Sequence, residues 1–331
     1  MTASQNHEAE RLSRQVWIEN GERYALILVW IAVIVFFGIL RPDTFLAWPT
    51  FSTIFGSQAV LVVLTLGLII PLTAGDYDLS IASVMTMSSM LLAVFNVWLG
   101  WPLWLAVAAA LGAGLLVGIL NATIVLYFRL QSLIVTLGMG TFINGITLWF
   151  SSSKIISGVD FSLVIGVIGT RLFGIPLAFY YALLVALIIW YVFSYTAIGQ
   201  RLLFVGRGRE VARLSGIRVD RVRFGAMVIS SGLGALAGVL YVGTTGAADP
   251  VSGLSYLLPA FAAAFLGATS IQPGRFNAIG SVIAVYFLVT GITGLSILGM
   301  ATFVQNLFYG GALVIAVCLS QLVRGREERL T

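Results

Sequence analysis

The chain has 331 residues, of which 59% are hydrophobic and 9% charged, with a formal net charge of +5 and a single cysteine. Soluble domains carry roughly 25% charged residues, so a water-soluble fold is excluded, and one cysteine rules out an intrachain disulfide and gives no metal cluster. The basic residues cluster beside apolar runs, a pattern that membrane topology explains and nucleic-acid binding does not.

Residues 1–23 are polar and mixed in charge, lack the apolar core and small-residue cleavage site of a signal peptide, and read as a cytoplasmic tail. His7, the sole histidine, sits in that tail and reads as solvated. Ten apolar runs follow, near 24–40, 52–74, 79–98, 102–127, 132–150, 177–196, 224–246, 254–269, 277–295 and 301–322. A helix crossing the hydrocarbon layer needs about 20 apolar residues, and runs that are apolar on every face specify a helix bundle rather than a barrel. The expected fold is all-α: a polytopic membrane protein of about ten transmembrane helices, with residues 24–322 in the membrane domain and 323–331 a cytoplasmic tail. Trp48, Trp98, Trp101 and Trp104 fall near span ends, where amphipathic rings anchor at the interface. Gly112, Ala113, Gly114 and Gly118 present small residues suited to close helix approach. Cys318, in the last run, is expected to be a small buried side chain.

With the N-terminus inside, fifteen of the eighteen basic residues fall on the cytoplasmic side, and only Arg41, Lys154 and Arg171 fall outside. That bias satisfies the positive-inside rule, and an even number of crossings returns the C-terminus to the cytoplasm. Residues 151–176 form the longest external segment, expected to lie on the membrane surface or re-enter partly, and open to a partner from outside. No clear sequence repeat is visible. Spans two to five and seven to ten can nevertheless be offset by five helices into halves of opposite orientation, an arrangement common in transporters.

The missing motifs narrow the chemistry. There is no phosphate loop, so this chain is not expected to bind ATP, and there is no His-Glu-x-x-His run or nucleophile triad. All thirteen carboxylates read as lying in tails, loops or span ends. A proton-driven carrier uses ionisable groups within the membrane, and none is expected here. Energy must then come from elsewhere, and neither covalent catalysis nor a cofactor is expected.

Three features carry the function. The polar stretch 197–223 holds seven arginines. Within it, residues 210–216 read as a short helix with Val211, Leu214 and Ile217 three apart and Gly216 as its stop. Such a helix can dock in a groove of a partner, or the stretch can simply orient the protein and attract anionic headgroups. Second, Gly75, Asp76, Asp78 and Ser80 lie between abutting spans, where carboxylates are costly unless solvated, paired or capping. Capping by Asp78 or Ser80 with loop solvation is one reading; a helix break beside the solute path is the other. Third, Asn121, Gln131, Thr136, Asn144, Thr147, Gln305 and Asn306 interrupt apolar spans, with Phe142 and Trp149 nearby. Amides and rings suit a hydroxyl-rich solute, and they equally suit bonding between helices.

At these positions the sequence resembles the permease subunits of ribose/xylose/arabinose-type ABC importers. Gly75-Asp-Tyr-Asp78-Leu79-Ser80 is similar to that family's Gly-Ile-Asp-Leu-Ser stretch. Gly206 to Ile217, with Ala212, Ser215 and Gly216, is similar to its cytoplasmic-loop motif, although Arg207-Gly208 replaces the usual Gly-Asn. Leu236 to Tyr241, Gly246 to Pro250 and Leu266 to Ser270 follow in the family's order, so that the resemblance covers roughly 52–322. It implies an all-helical permease that pairs with a second permease subunit, as a homo- or heterodimer. It also implies two ABC ATPase subunits, an extracytoplasmic solute-binding protein, and a place in the bacterial inner membrane amid membrane lipid. Gly206, Arg207, Arg209, Glu210, Arg213, Ser215, Gly216 and Ile217 would form the ATPase-coupling surface, and the cargo would be a monosaccharide or related polar solute moved by alternating access. Alternatives are an amino-acid or nucleoside permease, or a stand-alone ion-driven carrier.

Overall fold

A computed structural model describes residues 23–330, the side chains of residue 302 and of 320–330 excepted; the tail 1–22, with His7, lies outside the described residues. In chain order the helices are α1 (Arg23–Leu40), α2 (Pro42–Phe45), α3 (Trp48–Ser57), α4 (Ala59–Thr73), α5 (Ile81–Ala93, extended by a π turn to Trp98), α6 (Leu103–Tyr127) and α7 (Ser132–Phe150). After β1 (Ile156–Ser157), α8 (Phe161–Val164), a π turn (Ile165–Gly169), β2 (Arg171–Leu172) and β3 (Ile175–Pro176) come α9 (Leu177–Tyr195), α10 (Ala197–Arg207) and α11 (Arg209–Leu214). The chain closes with α12 (Val219–Thr245), β4 (Ala247–Ala248), α13 (Leu254–Gly267), α14 (Ala278–Ile297) and α15 (Thr302–Leu330).

Each of the ten expected apolar runs is helical, but the spans divide differently. Among the described residues seven helices are long and apolar enough to cross a membrane, or eight if α3 and α4, bent by 40°, are counted as one broken span. α13 and the Phe303–Leu319 part of α15 are shorter. At 1.5 Å per residue the 14 residues of α13 span roughly 20 Å, less than the roughly 30 Å hydrocarbon thickness. α12 begins five residues before the expected 224 and takes Arg221 and Arg223 into its first turns, because arginine is a good helix former wherever it need not enter lipid.

α4 is the centre of the bundle: every residue from Ala59 to Thr73 is buried, as its all-round apolar sequence requires. α12 packs beside it and also against α5 and α6. Gly114 and Gly118 of α6 face α12 so closely that added methyl groups would collide with Ala235 and Val228, whereas Gly112 faces open space. Cys318 is exposed rather than buried. It lies on an outer face of the bundle, where the surroundings are apolar and burial in protein adds little driving force.

Local bonds define the two ends. At one, Arg23 Nε donates to the Ile271 carbonyl at 2.7 Å. At the other, Ser52 Oγ donates to the Gly174 carbonyl at 2.6 Å, and β1 pairs antiparallel with β4, Ile156 opposite Ala248. The segment 151–176 tucks partly into the bundle at this second end, with Val167 buried against Gly243 of α12. Asp160 caps α8 by accepting from Ser162 N–H, a bond that lowers its pKa from the ordinary carboxylate value.

Candidate coupling site and helix break

α4 stops where Gly75 takes φ +76°, a conformation that costs a residue with Cβ but not glycine. The chain then runs without helix to Ser80, and neighbouring helices satisfy its backbone. Ser132 Oγ accepts from Tyr77 N–H at 3.0 Å. Thr136 Oγ1 accepts from Leu79 N–H at 3.0 Å and donates to the Tyr77 carbonyl at 3.1 Å. Thr136, one of the polar interruptions in the sequence, is thus the stitch that holds an open segment inside the bundle, where every backbone group needs a partner.

The two carboxylates of this segment are not solvated. Asp76 is 2% exposed and Asp78 1%, so the reading that solvation relieves their charge is corrected; they lie in a loop between helices, as expected, but are buried there. Within the segment Gly75 and Tyr77 are exposed, while the two carboxylates turn inward, each to a side chain of α12. Asp76 is paired: Arg223 meets it in a two-bond fork, Nε to Oδ2 at 2.6 Å and Nη2 to Oδ1 at 2.7 Å. Arg209 Nη2 adds bonds to Asp76 Oδ1 at 3.0 Å and to the Gly75 carbonyl at 2.9 Å. Forked guanidinium–carboxylate bonds are the strong, orienting kind.

Asp78 has hydroxyl partners instead. Its Oδ1 accepts from Ser80 N–H and Ser80 Oγ at 3.1 and 2.6 Å, and its Oδ2 accepts from Ser230 Oγ at 2.8 Å. Ser80 makes no side-chain cap on α5; its hydroxyl is committed to Asp78 and accepts from Asn121 Nδ2 at 2.8 Å. Of the capping reading, the Asp78 half holds, its carboxylate accepting from the backbone amides of Ser80 and Ile81 at the start of α5, while the Ser80 half does not.

The arginine-rich stretch folds as two short helices followed by the first turns of α12. Thr196 caps α10, Gly208 separates α10 from α11, and Gly216, at φ +80°, ends the turn after α11. Ala212 is buried, while Val211 and Leu214 are exposed, Leu214 at 89%. Ile217 instead packs on the core. Arg213 bonds Glu210 at 3.0 Å, and Ser215 Oγ donates to the Val211 carbonyl at 2.9 Å. Arg207 is exposed at the end of α10. Gly206 lies directly on the Thr73 carbonyl at the end of α4. One exposed basic and apolar knob therefore rests on the break through Gly206 and grips it through Arg209.

The remaining polar candidates go to separate places. Asn121 joins the Asp78 cluster, and Gln131 lines a cleft of about 830 Å³ beside Asp76, Tyr77, Arg129 and Arg209. Phe142 and Trp149 line an outward groove of about 850 Å³ along α7 with Gly138 and Gly145, and Asn144 is half-buried on the same helix. On α15, Gln305 Nε2 donates to Ser296 Oγ at 3.2 Å and Asn306 is exposed. Arg223 and Ser230, the partners of the two aspartates, were not distinguished by sequence reasoning. The one available signal was an arginine in the first turns of a long apolar helix, which demands a counter-charge.

A family model described as "Branched-chain amino acid transport system / permease component" matches residues 50–317. The chain is 28% identical over 302 residues to the D-allose transport system permease protein AlsC of Escherichia coli, covering 91% of this chain and 92% of that one. It is 27% identical to the Ribose import permease protein RbsC of Escherichia coli, with 95% and 97% covered. To the Fructose import permease protein FrcC of Rhizobium meliloti it is 29% identical, with 94% and 88% covered. No solved structure matches the chain significantly.

Proposed function

We propose a function from one premise: the chain belongs to the family of transport-system permease components whose model spans residues 50–317. It is the membrane-spanning permease subunit of an ABC importer, a multi-pass protein of the bacterial inner membrane, and its cargo is a monosaccharide. The cargo follows from the relatives, whose names are those of allose, xylose, ribose and fructose permeases. The family description names branched-chain amino acids, so that cargo class is the rival to exclude. The chain itself performs no covalent chemistry and holds no cofactor. ATP is hydrolysed by partner ATPase subunits, and a solute-binding protein delivers the sugar from outside to a pair of permease subunits.

The observation that carries this reading is the physical continuity between α10–α11 and the break at 74–80. An ATPase pressing on the exposed Val211 and Leu214 pushes Gly206 against Thr73 and pulls Asp76 through Arg209. The break is where α4 and α5 can change their mutual angle, so a push on the inner surface becomes a rearrangement of the solute path. The test is uptake of labelled monosaccharides into vesicles holding the chain with its ATPase and binding protein. Uptake is expected to require ATP and both partners, and to be competed by sugars but not by leucine. Uptake by the chain alone under a sodium or proton gradient would overturn the reading.

Gly216→Asp gives a milder check. A positive φ costs a non-glycine residue roughly 1–2 kcal/mol, less for Asp than for most, and no atom lies within 4 Å of the added Cβ. The variant is expected to insert and assemble normally. Solute-stimulated ATP hydrolysis should fall about tenfold, of the size of a typical coupling free energy, because a new negative charge faces the carbonyl end of α11.

A further inference from the structure

The bundle contains a second break built like the first. α12 ends at Gly246 with φ +70°, as α4 ends at Gly75 with φ +76°. The third residue after each glycine is an aspartate that accepts from the backbone two residues on: Asp78 from Ser80 N–H, and Asp249 from Val251 N–H at 3.0 Å. An apolar helix then follows, α5 in one case and α13 in the other. The breaks lie at opposite ends of the bundle, the relation that halves offset by five helices and inverted in orientation require.

Each break is bonded to a different surface. The first is held by Arg209 of the arginine-rich segment. The second carries β4, which pairs with β1 of the segment 151–176. The two also touch. Gly253, just ahead of α13, donates its N–H to Thr86 Oγ1 of α5 at 2.8 Å, and Ser252 Oγ lies 3.4 Å from the same hydroxyl. Gly253 sits so closely on the Ala82 carbonyl that a methyl group there would overlap it. Thr86 is 1% exposed, so its hydroxyl has no water to exchange with, and a buried N–H without a partner is costly.

We propose that the Thr86–Gly253 bond is the relay that makes the two breaks move together, so that a change at the ATPase-facing surface reaches the outer segment 151–176. Thr86 is a positioning residue: it touches no solute and acts by tying α5 to the start of α13. When Asp76 is pulled, α5 moves as the continuation of its segment, and Gly253 must follow or lose its bond. The same bond works in reverse, because coupling between two sites is reciprocal. A binding protein that displaces β1 and β4 would thereby signal inward.

The inference rests on the permease reading, and the test separates the two. In the complete reconstituted assembly, Thr86→Val keeps the side chain's shape but removes the acceptor, while Thr86→Ser keeps the hydroxyl. Thr86→Val is expected to leave basal ATP hydrolysis unchanged and to cut its stimulation by loaded binding protein about tenfold; Thr86→Ser is expected to retain most of it. Equal stimulation in wild type and Thr86→Val, or equal loss in both variants, overturns the relay. A measurement on the wild type removes dependence on variant folding. Amide exchange of residues 246–253 should change about tenfold between the nucleotide-free and the ATP-trapped assembly, the sensitivity expected of a local opening equilibrium; identical exchange also overturns the relay. If the wild-type assembly shows neither uptake nor stimulated hydrolysis, the permease reading itself fails.

Discussion

Arg223→Gln is expected to abolish ATP-driven uptake and to destabilise the protein, whereas Arg209→Gln is expected to abolish uptake with little loss of stability. The difference follows from burial. Arg223 is 12% exposed and Asp76 2%, with two bonds between them; breaking a buried pair by removing one partner costs about 3–5 kcal/mol, and here the lower end applies because Asp76 keeps a single bond from the half-exposed Arg209. Arg209 is 41% exposed, and exposed pairs contribute only about 0–1 kcal/mol. Arg223 therefore anchors the break, and Arg209 connects it to the segment that an ATPase moves. The double variant Asp76→Asn, Arg223→Gln separates anchoring from coupling. With no buried charge left unpaired, Arg209 being 41% exposed to solvent, it should recover much of the lost stability, since removing both partners costs far less than removing one, while uptake stays absent. Thermal unfolding in detergent and vesicle uptake, measured on the same preparations, decide it. An Arg209→Gln protein that transports at the wild-type rate would remove the grip on Asp76 from the mechanism.

The second large effect is expected at Gly206. A Cβ there would run into the Thr73 carbonyl, and a backbone oxygen at the end of the fully buried α4 cannot turn aside as a side chain can. Overpacking of this kind costs about 1–3 kcal/mol even where neighbours give. Gly206→Val should therefore lift α10 from the end of α4. The exposed Val211 and Leu214 that would meet the ATPase remain, so assembly is expected to survive while stimulated hydrolysis and uptake are lost. Gly225→Ala is the control, because nothing lies within 4 Å of a Cβ added there and alanine is favoured over glycine in a helix by about 1 kcal/mol. Co-purification of the ATPase with Gly206→Val, measured beside uptake, tests the claim; retained uptake would mean that the contact with Thr73 is dispensable.

Much of the site was legible, though not its connections. Gly216 as the stop of a short helix could be read because a glycine after a three-residue apolar spacing is a local signal. Asp76 and Asp78 were visible as costly residues between apolar runs, and pairing was among the ways such a cost can be met. Their partners were not visible, because Arg223 and Ser230 lie 147 and 152 residues further along the chain. Leu214 and Ile217 share a spacing, yet one is exposed and the other packs on the core. Helical period alone does not say where a short helix ends its contact with its own bundle. The polar residues 121, 131, 144, 305 and 306 show the same limit: each was marked by its chemistry, but which of them meet depends on helix rotation and tilt.

The amino-acid sequence by itself determined that this protein is a membrane-embedded helix bundle, since 59% hydrophobic residues in repeated runs have no other low-energy arrangement. It also determined that the basic residues lie outside the apolar runs rather than within them, because the cost of carrying arginine through lipid is a property of the residue. Only the tertiary structure decided that the carboxylates of the 74–80 segment are buried, that Asp76 is held by arginines from two directions, and that a second break meets α5 at Thr86. Burial and pairing between distant segments depend on how helices lean on one another. That arrangement is a balance of many small packing contacts, none of which has a local signature in the chain.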